Sequence, residues 1–235
     1  MIDVHCHILP YVDDGPCDFE QSLEMCRVAA LDGIKKIIAT PHSNPSVYDS
    51  GTVKFIEFTE RLNVLVKKEG IPLSIQAGCE AHATPNLVSR LKNGEVLTLD
   101  GKGRYVLVEF PFETMPPNWD MFLTSLKNAG YMPVMAHPER NVWFLNRPEA
   151  VFDAVVKGIM LVQITAVSVT GELGPVIKDF SEYLLERNLV HVVASDGHSA
   201  SYRPPVLSAA RKAAAALIGE GLSEPLFTTN AEAIA

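Results

Sequence analysis

Cysteine is scarce and unorganised in this sequence, and its scarcity removes several chemistries. Cys6, Cys17, Cys26 and Cys79 are the only four among 235 residues, and no two form a Cys-x-x-Cys pair. Neither a disulfide framework nor a structural zinc site is indicated. None has an arginine six residues later, so the Cys-x5-Arg loop that holds a phosphate over a nucleophilic thiolate is absent too. The thiols read as buried and inert. Basic runs are also missing, and the net charge of −8 speaks against a nucleic-acid partner. No apolar run approaches the length of a membrane span, and Asp3 and His5 interrupt the stretch a secretory signal would need. The expected location is cytoplasmic, without membrane insertion. No internal repeat or low-complexity segment is visible.

What is present is a regular alternation of short apolar runs and amphipathic segments. Strands are expected at Ile2–His5, Lys36–Thr40, Leu73–Gly78, Tyr105–Phe110, Met132–Ala136, Met160–Thr165 and His191–Ser195. Most are continuous Val/Ile/Leu runs, as in parallel strands covered on both faces. Helices fall between them. Asp18 with Gln21 reads as a capping box for a first helix that carries Leu23, Cys26 and Ala30 inward and stops at Gly33. Phe55, Phe58, Leu62, Leu65 and Val66 give a second helix its stripe, ending at Gly70. Pro148 and Pro175 suit first helical positions, Gly158 and Asn188 suit stops, Ala209–Leu217 is alanine-rich, and Thr229-Asn230 suits the cap of a short terminal helix. Seven strand-then-helix units in 235 residues predict a single α/β domain over 1–235, a (β/α)7 barrel related to the TIM type, with an open doubly wound sheet as the alternative.

The polar residues cluster at the ends of these runs. His5 and His7 close the first, His42 follows the second and Glu80 the third. Glu109 ends the fourth, His137 follows the fifth, and Asp196 and His198 follow the last. A loop after Pro10 adds Asp13 and Asp14, either of which suits a ligand. In a parallel barrel all these ends share one face, where such enzymes place their sites. Each residue alone reads as an ordinary cap or core group; jointly, with unpaired buried carboxylates so costly, they read as a metal site. Nine such groups exceed one ion, and mixed imidazole and carboxylate donors suit two or three ions of manganese, iron or zinc. Arg140 and Arg203, beside His137 and His198, read as phosphate clamps. His191 lies at the other end of its strand and reads as structural. His82, two beyond Glu80, is left out of the ligand set.

At this point the sequence resembles the polymerase-and-histidinol-phosphatase (PHP) superfamily, and within it the tyrosine-protein phosphatases of bacterial capsule and exopolysaccharide loci, the CpsB/YwqE type. The resemblance rests on His5-Cys6-His7-Ile8-Leu9-Pro10 with Asp13-Asp14-Gly15, and on Thr40-Pro41-His42 and Gly78-Cys79-Glu80. It continues through Ala136-His137-Pro138-Glu139-Arg140, Gln163-Ile164-Thr165-Ala166 and Ser195-Asp196-Gly197-His198. It implies a distorted barrel with a trinuclear centre. His5, His7, Glu80 and Asp196 would hold one ion, a bridging Glu80 with Glu109 and His137 a second, and Asp14, His42 and His198 a third. It also implies hydrolysis of phosphotyrosine by a metal-activated hydroxide, with Arg140 and Arg203 on the phosphoryl oxygens. The implied substrate is a phosphotyrosine protein, the C-terminal tail of a tyrosine autokinase that regulates polysaccharide synthesis. Two rivals stand beside this reading: a histidinol-phosphate or other small-molecule phosphatase, and a metal-stabilised regulatory module without turnover. Tyr11, Phe112 and Trp119 are candidate walls for a substrate ring.

Overall fold

A computed structural model describes residues 1–44, 46–48 and 50–235. The strands are β1 (Ile2–Cys6), β2 (Lys36–Ala39), β3 (His42–Ser43), β4 (Ser74–Ala77), β5 (Glu80–His82), β6 (Tyr105–Glu109), β7 (Met132–Ala136), β8 (Leu161–Thr165) and β9 (Val192–Ala194). Every pairing between them is parallel. All seven expected strands are present: β1 runs one residue longer, β7 is as expected, the others are trimmed by up to two residues, and β3 and β5 continue β2 and β4 beyond short breaks. The backbone stays paired across those breaks, since Gly78 N–H donates to Ala39 O at 2.9 Å and Glu80 N–H to Pro41 O at 3.0 Å. Pro41 has no N–H to give, and a Cβ on Gly78 would meet the Ile38 side chain at 2.7 Å. The breaks divide the strands into two parallel sheets, β1-β2-β4 and β3-β5-β6-β7-β8-β9. The outer strands β1 and β9 meet at their ends. Asp196 N–H donates to His5 O, and His7 N–H to Gly197 O, both at 2.8 Å.

Neighbouring residues on a strand feed two different cores, as a period of two requires. A small core gathers Val4, Ile38, Leu107, Val134, Val192 and Ala194 from five strands, with Ala231 and Ile234 of the terminal helix Thr229–Ile234. A larger one lies between strands and helices and takes Ile37, Val106, Val108, Met135, Ile164 and Val193 from the strands. Covering both faces is why the runs read as continuously apolar.

The helices start and stop largely where expected. Helix Phe19–Leu31 begins at Asp18, whose carboxylate accepts from Gln21 N–H. The return half of the capping box is shifted, because Gln21 Oε1 accepts from Cys17 N–H at 3.2 Å and not from Asp18. Ala30 is only half-buried, and Ser22, Leu23, Met25, Cys26 and Ala29 form the inward face. Pro148 and Pro175 open their helices, and Gly158 and Asn188 follow them in the left-handed region. Thr229 is the first residue of the terminal helix, with Thr228 in the capping position. One thiol departs from expectation. Cys17 lies exposed on the loop before the first helix, whereas Cys6, Cys26 and Cys79 are buried, and burial pushes Cys26 and Cys79 up to about 12. Among the described residues no helix is long and apolar enough to cross a membrane.

Candidate metal centre

The nine expected donors do meet at the carboxyl ends of the strands. Strand alternation alone does not bring them there. The register of β1 against β2 shifts between Asp3 and Cys6, a bulge of the kind that re-aims a side chain. Val4 packs into the small core, yet its neighbour His5 also reaches inward, to Glu80 Oε1 and Asp196 Oδ1, each 3.4 Å from its Nε2. His7 Nε2 lies 3.4 Å from Glu80 Oε2 and 3.4 Å from Asp196 Oδ1.

Glu80 stands at the centre. His42 Nδ1 is 3.0 Å from its Oε2 and His137 Nε2 3.1 Å from its Oε1. Glu109 is 3.6 Å from His42 and 3.8 Å from His137. At the outer side Asp14 Oδ1 lies 3.3 Å from His198 Nε2 and 3.6 Å from His42 Nε2. The donors fall into four overlapping sets: His7, Asp14, His42, His198; His5, His137, Asp196; His5, His7, Glu80; and His42, Glu80, Glu109. The choice between the two loop aspartates is resolved by geometry. Asp14 joins a donor set, while Asp13 Oδ2 accepts from His7 Nδ1 at 2.7 Å and from His42 N–H at 3.0 Å. A Cβ on Gly15 would come within 2.4 Å of the His7 carbonyl, so glycine there lets the loop fold back and deliver Asp13.

The proton positions follow from these partners. His5 Nδ1 faces the acceptor Gln163 Oε1 at 2.9 Å, His7 Nδ1 faces Asp13, and His198 Nδ1 faces the Asp196 carbonyl at 2.9 Å. Each acceptor claims an Nδ1 proton, which leaves Nε2 as the atom turned inward to a metal. His5 Nε2 and His7 Nε2 consequently confront each other at 3.2 Å, and the buried Glu80 Oε2 has no hydrogen bond. Lone pairs and carboxylates converging in this way repel unless a cation lies among them. Donors about 2.1 Å from one ion are separated by ~3.0 Å at right angles and ~3.4 Å at the tetrahedral angle, and the separations of 3.2 and 3.4 Å among His5, His7, Glu80 and Asp196 lie in this range. The residues fit divalent metal.

Without a cation in the cluster, protons on the imidazoles answer the carboxylates instead. Burial opposes the charged forms throughout, yet Asp13 and Glu80 raise His7 well above its ordinary value. The histidines, with His5 foremost, hold the buried Glu80 well below the carboxylate range. His5, His137 and His7 do the same for the buried Asp196. The hydrogen bond to His198 keeps the half-exposed Asp14 low.

The two arginines flank this cluster through one carboxylate. Asp196 Oδ1 faces His5 and His7, while its Oδ2 accepts from both Arg140 Nη1 and Arg203 Nη2. Phe112 stacks on His137 at 5.3 Å and lies under the Arg140 guanidinium at 4.7 Å. A cavity of about 70 Å³ opens between Asp14, Glu109, His137, His198, Phe112 and the two arginines. A wider surface groove of about 640 Å³ is lined by Arg211, Glu220 and Glu224 but by no imidazole, and none of its residues belongs to a donor set, so size does not mark the site. Of the expected ring walls Phe112 is in place. Tyr11 is 58% exposed on the outer loop, and Trp119 is buried against Trp143 and Phe144, so neither walls the cavity. His82 touches the cluster only at its edge, 3.8 Å from Glu109.

Groups with no role assigned from sequence complete the support. Gln163 orients His5, and Tyr48 stacks on His42 at 5.3 Å. Asp3, fully buried, accepts from Ser195 N–H and Oγ and from His5 N–H. Burial pushes its carboxyl up to about 6. A polar residue inside an otherwise apolar strand was the available signal for Gln163 and Asp3.

Comparison with known proteins gives consistent findings. A family model described as "Capsular polysaccharide synthesis, CpsB/CapC" matches residues 1–235. The tyrosine-protein phosphatase YwqE of Bacillus subtilis is 41% identical over 203 residues, 86% of this chain and 79% of that protein. The tyrosine-protein phosphatase CpsB of Streptococcus pneumoniae is 32% identical over 235 residues, 98% of this chain and 96% of that one. A solved structure from work on YwqE and CpsB, described as unique metal-dependent tyrosine phosphatases, superposes with a TM-score of 0.94 at 39% identity, covering 100% of this chain and 94% of that one.

Proposed function

The chain belongs to the CpsB/CapC family of capsular polysaccharide synthesis, and from that premise we propose that it is a metal-dependent protein-tyrosine phosphatase. The observation that carries this is the divided Asp196, with one oxygen among inward-turned imidazole Nε2 atoms and the other gripping two arginines. Metal donors and phosphate-binding cations thus share one carboxylate.

His5, His7, Asp14, His42, Glu80, Glu109, His137, Asp196 and His198 would hold two or three divalent ions, manganese being the first choice for this oxygen-and-imidazole set. When bound, such ions supply Lewis acidity and a water nucleophile at neutral pH. The chain's residues do the rest. Arg140 and Arg203, at the cavity wall, would take phosphoryl oxygens in bidentate fashion. Asp14 is held ionised by His198 and serves as a ligand, not a proton donor. A phenol ionises near 10, so a tyrosine oxygen leaves without the strong acid that a serine alkoxide needs. The narrow cavity also favours the long reach of phosphotyrosine over phosphoserine.

The same reading takes the two sheets as arcs of one distorted seven-stranded PHP barrel in a single domain over 1–235. The β1–β9 hydrogen bonds and the small core, floored by the terminal helix, support it over an open sheet. The proposed partner is the C-terminal tail of a cytoplasmic-facing tyrosine autokinase. The test is a side-by-side assay of phosphotyrosine and phosphoserine peptides and histidinol phosphate, with manganese and after chelation. Metal-dependent preference for the phosphotyrosine peptide is expected. A tenfold advantage for histidinol phosphate would move the protein to the small-molecule branch.

A further inference from the structure

Every strand path except β8 ends in at least one of the nine donors. The carboxyl end of β8 supplies none, yet it is as polar as the others, with Gln163 and Thr165 both fully buried. Gln163 fixes His5. Thr165, the last residue of the strand, donates its N–H at 2.9 Å and its hydroxyl at 2.8 Å to Glu139 Oε1, and Ser168 Oγ donates to the same oxygen at 2.8 Å. Three donors on one fully buried carboxylate oxygen make a strong tether.

What the tether holds is a segment with little hold on itself. Glu139 is the middle of the single 3-10 turn Pro138–Arg140. That turn is closed by Arg140 N–H to His137 O and Asn141 N–H to Pro138 O, and Pro138 has no N–H. It starts from His137 at φ +32, a left-handed backbone on a non-glycine residue, which persists only where the surroundings impose it. The next residue, Arg140, reaches Asp196 and lies over Phe112.

We propose that Glu139 is a positioning residue for Arg140, and that β8 serves as the strut that sets where this guanidinium stands. The inference rests on the phosphatase reading and on no direct contact between Glu139 and substrate. A guanidinium displaced by about 1 Å loses much of its value to a transition state, up to ~10²-fold.

The test is a double-mutant cycle on metal-loaded full-length protein, comparing wild type, Glu139→Gln, Arg140→Ala and the pair. Three readouts are taken: kcat and KM on a phosphotyrosine peptide, Kd for inorganic phosphate by calorimetry, and metal content. Glu139→Gln should lower kcat about tenfold with KM little changed and metal retained. In the Arg140→Ala background the same change should cost less than about twofold, because the group it positions is gone. Loss by the same factor in both backgrounds, or metal loss in step with kcat, overturns the proposal in favour of a merely structural carboxylate. If Glu139→Gln does not fold, Thr165→Val keeps the backbone donor, removes the hydroxyl donor and carries the same cycle. Wild type inert towards phosphotyrosine would refute the functional reading, while the cycle on phosphate affinity would still decide the role of Glu139.

Discussion

The two halves of the strands' inward rows differ completely in chemistry within one step of the pleat. On β6, Leu107 and Glu109 share a face. Leu107 is in the small apolar core, and two residues on Glu109 faces His42 and His137. On the path of β9 the same step runs from Ala194 in the small core to Asp196 beside His5 and His7. About 7 Å of strand therefore separates a floor that favours the folded state outright from a rim of buried carboxylates and imidazoles that is unfavourable by itself. The floor is a packing solution and the rim an electrostatic problem that cations solve. Damage to each end should accordingly read out in a different measurement.

The largest contrast should come from the rim. Glu80 contacts four histidines, so Glu80→Gln should empty at least one ion site and abolish turnover. Metal analysis and a phosphopeptide assay check this together; a fully active Glu80→Gln protein would sink the metal-centred account. Next comes Arg140→Ala, which should lower kcat by roughly 10²-fold or more, the scale for losing one donor to transition-state charge. A rise in KM alone would mean uniform binding instead. Arg140→Lys should recover little, since a point charge lacks the bidentate fork.

The floor should behave in the opposite way. Leu107 is wholly buried, and Leu107→Ala should destabilise the protein by about 2–5 kcal/mol while leaving turnover per folded molecule near wild type. Denaturant unfolding beside an assay at low temperature separates the two. A variant of normal stability but poor turnover would show that the floor and the rim are not independent.

What the sequence made legible divides along the same line. The strands and the meeting of the nine candidate groups could be read because each depends on local facts, apolar runs and the residue that follows them. The bulge in β1 could not, since it arises from pairing with β2, and it is what lets Val4 and His5 both face inward. The roles of Gln163 and Glu139 were hidden for a related reason: they act through partners more than twenty residues away. Trp119 looked like a ring wall because it sits beside a long loop, but as the first residue of helix Trp119–Asn128 its indole turns to Trp143 and Phe144. Cys17 looked buried by residue type alone, and its loop position decided otherwise.

The smallest expected effect concerns the one histidine at the floor. His191 precedes β9, takes Val162 N–H on its Nδ1 at 3.1 Å, donates its own N–H to Val162 O, and offers its carbonyl to Asn230 in the terminal helix. It thus ties β8, β9 and that helix together, and burial pushes its ring below the ordinary 6.5. A base with a depressed folded value binds its proton first in the unfolded chain, so its stabilising contribution is complete above 6.5 and is lost as the pH falls below that. Protonation of Nδ1 also removes the acceptor for Val162, a bond worth about 1 kcal/mol. His191→Asn keeps an acceptor of similar reach and cannot titrate. Its stability should match wild type near pH 7.5 and fall less between pH 6.5 and 5, the difference cancelling the contribution of the rim histidines common to both proteins. Parallel curves for the two proteins would mean that His191 takes up its proton equally in the folded and unfolded chain, and that pH sensitivity belongs to the rim alone.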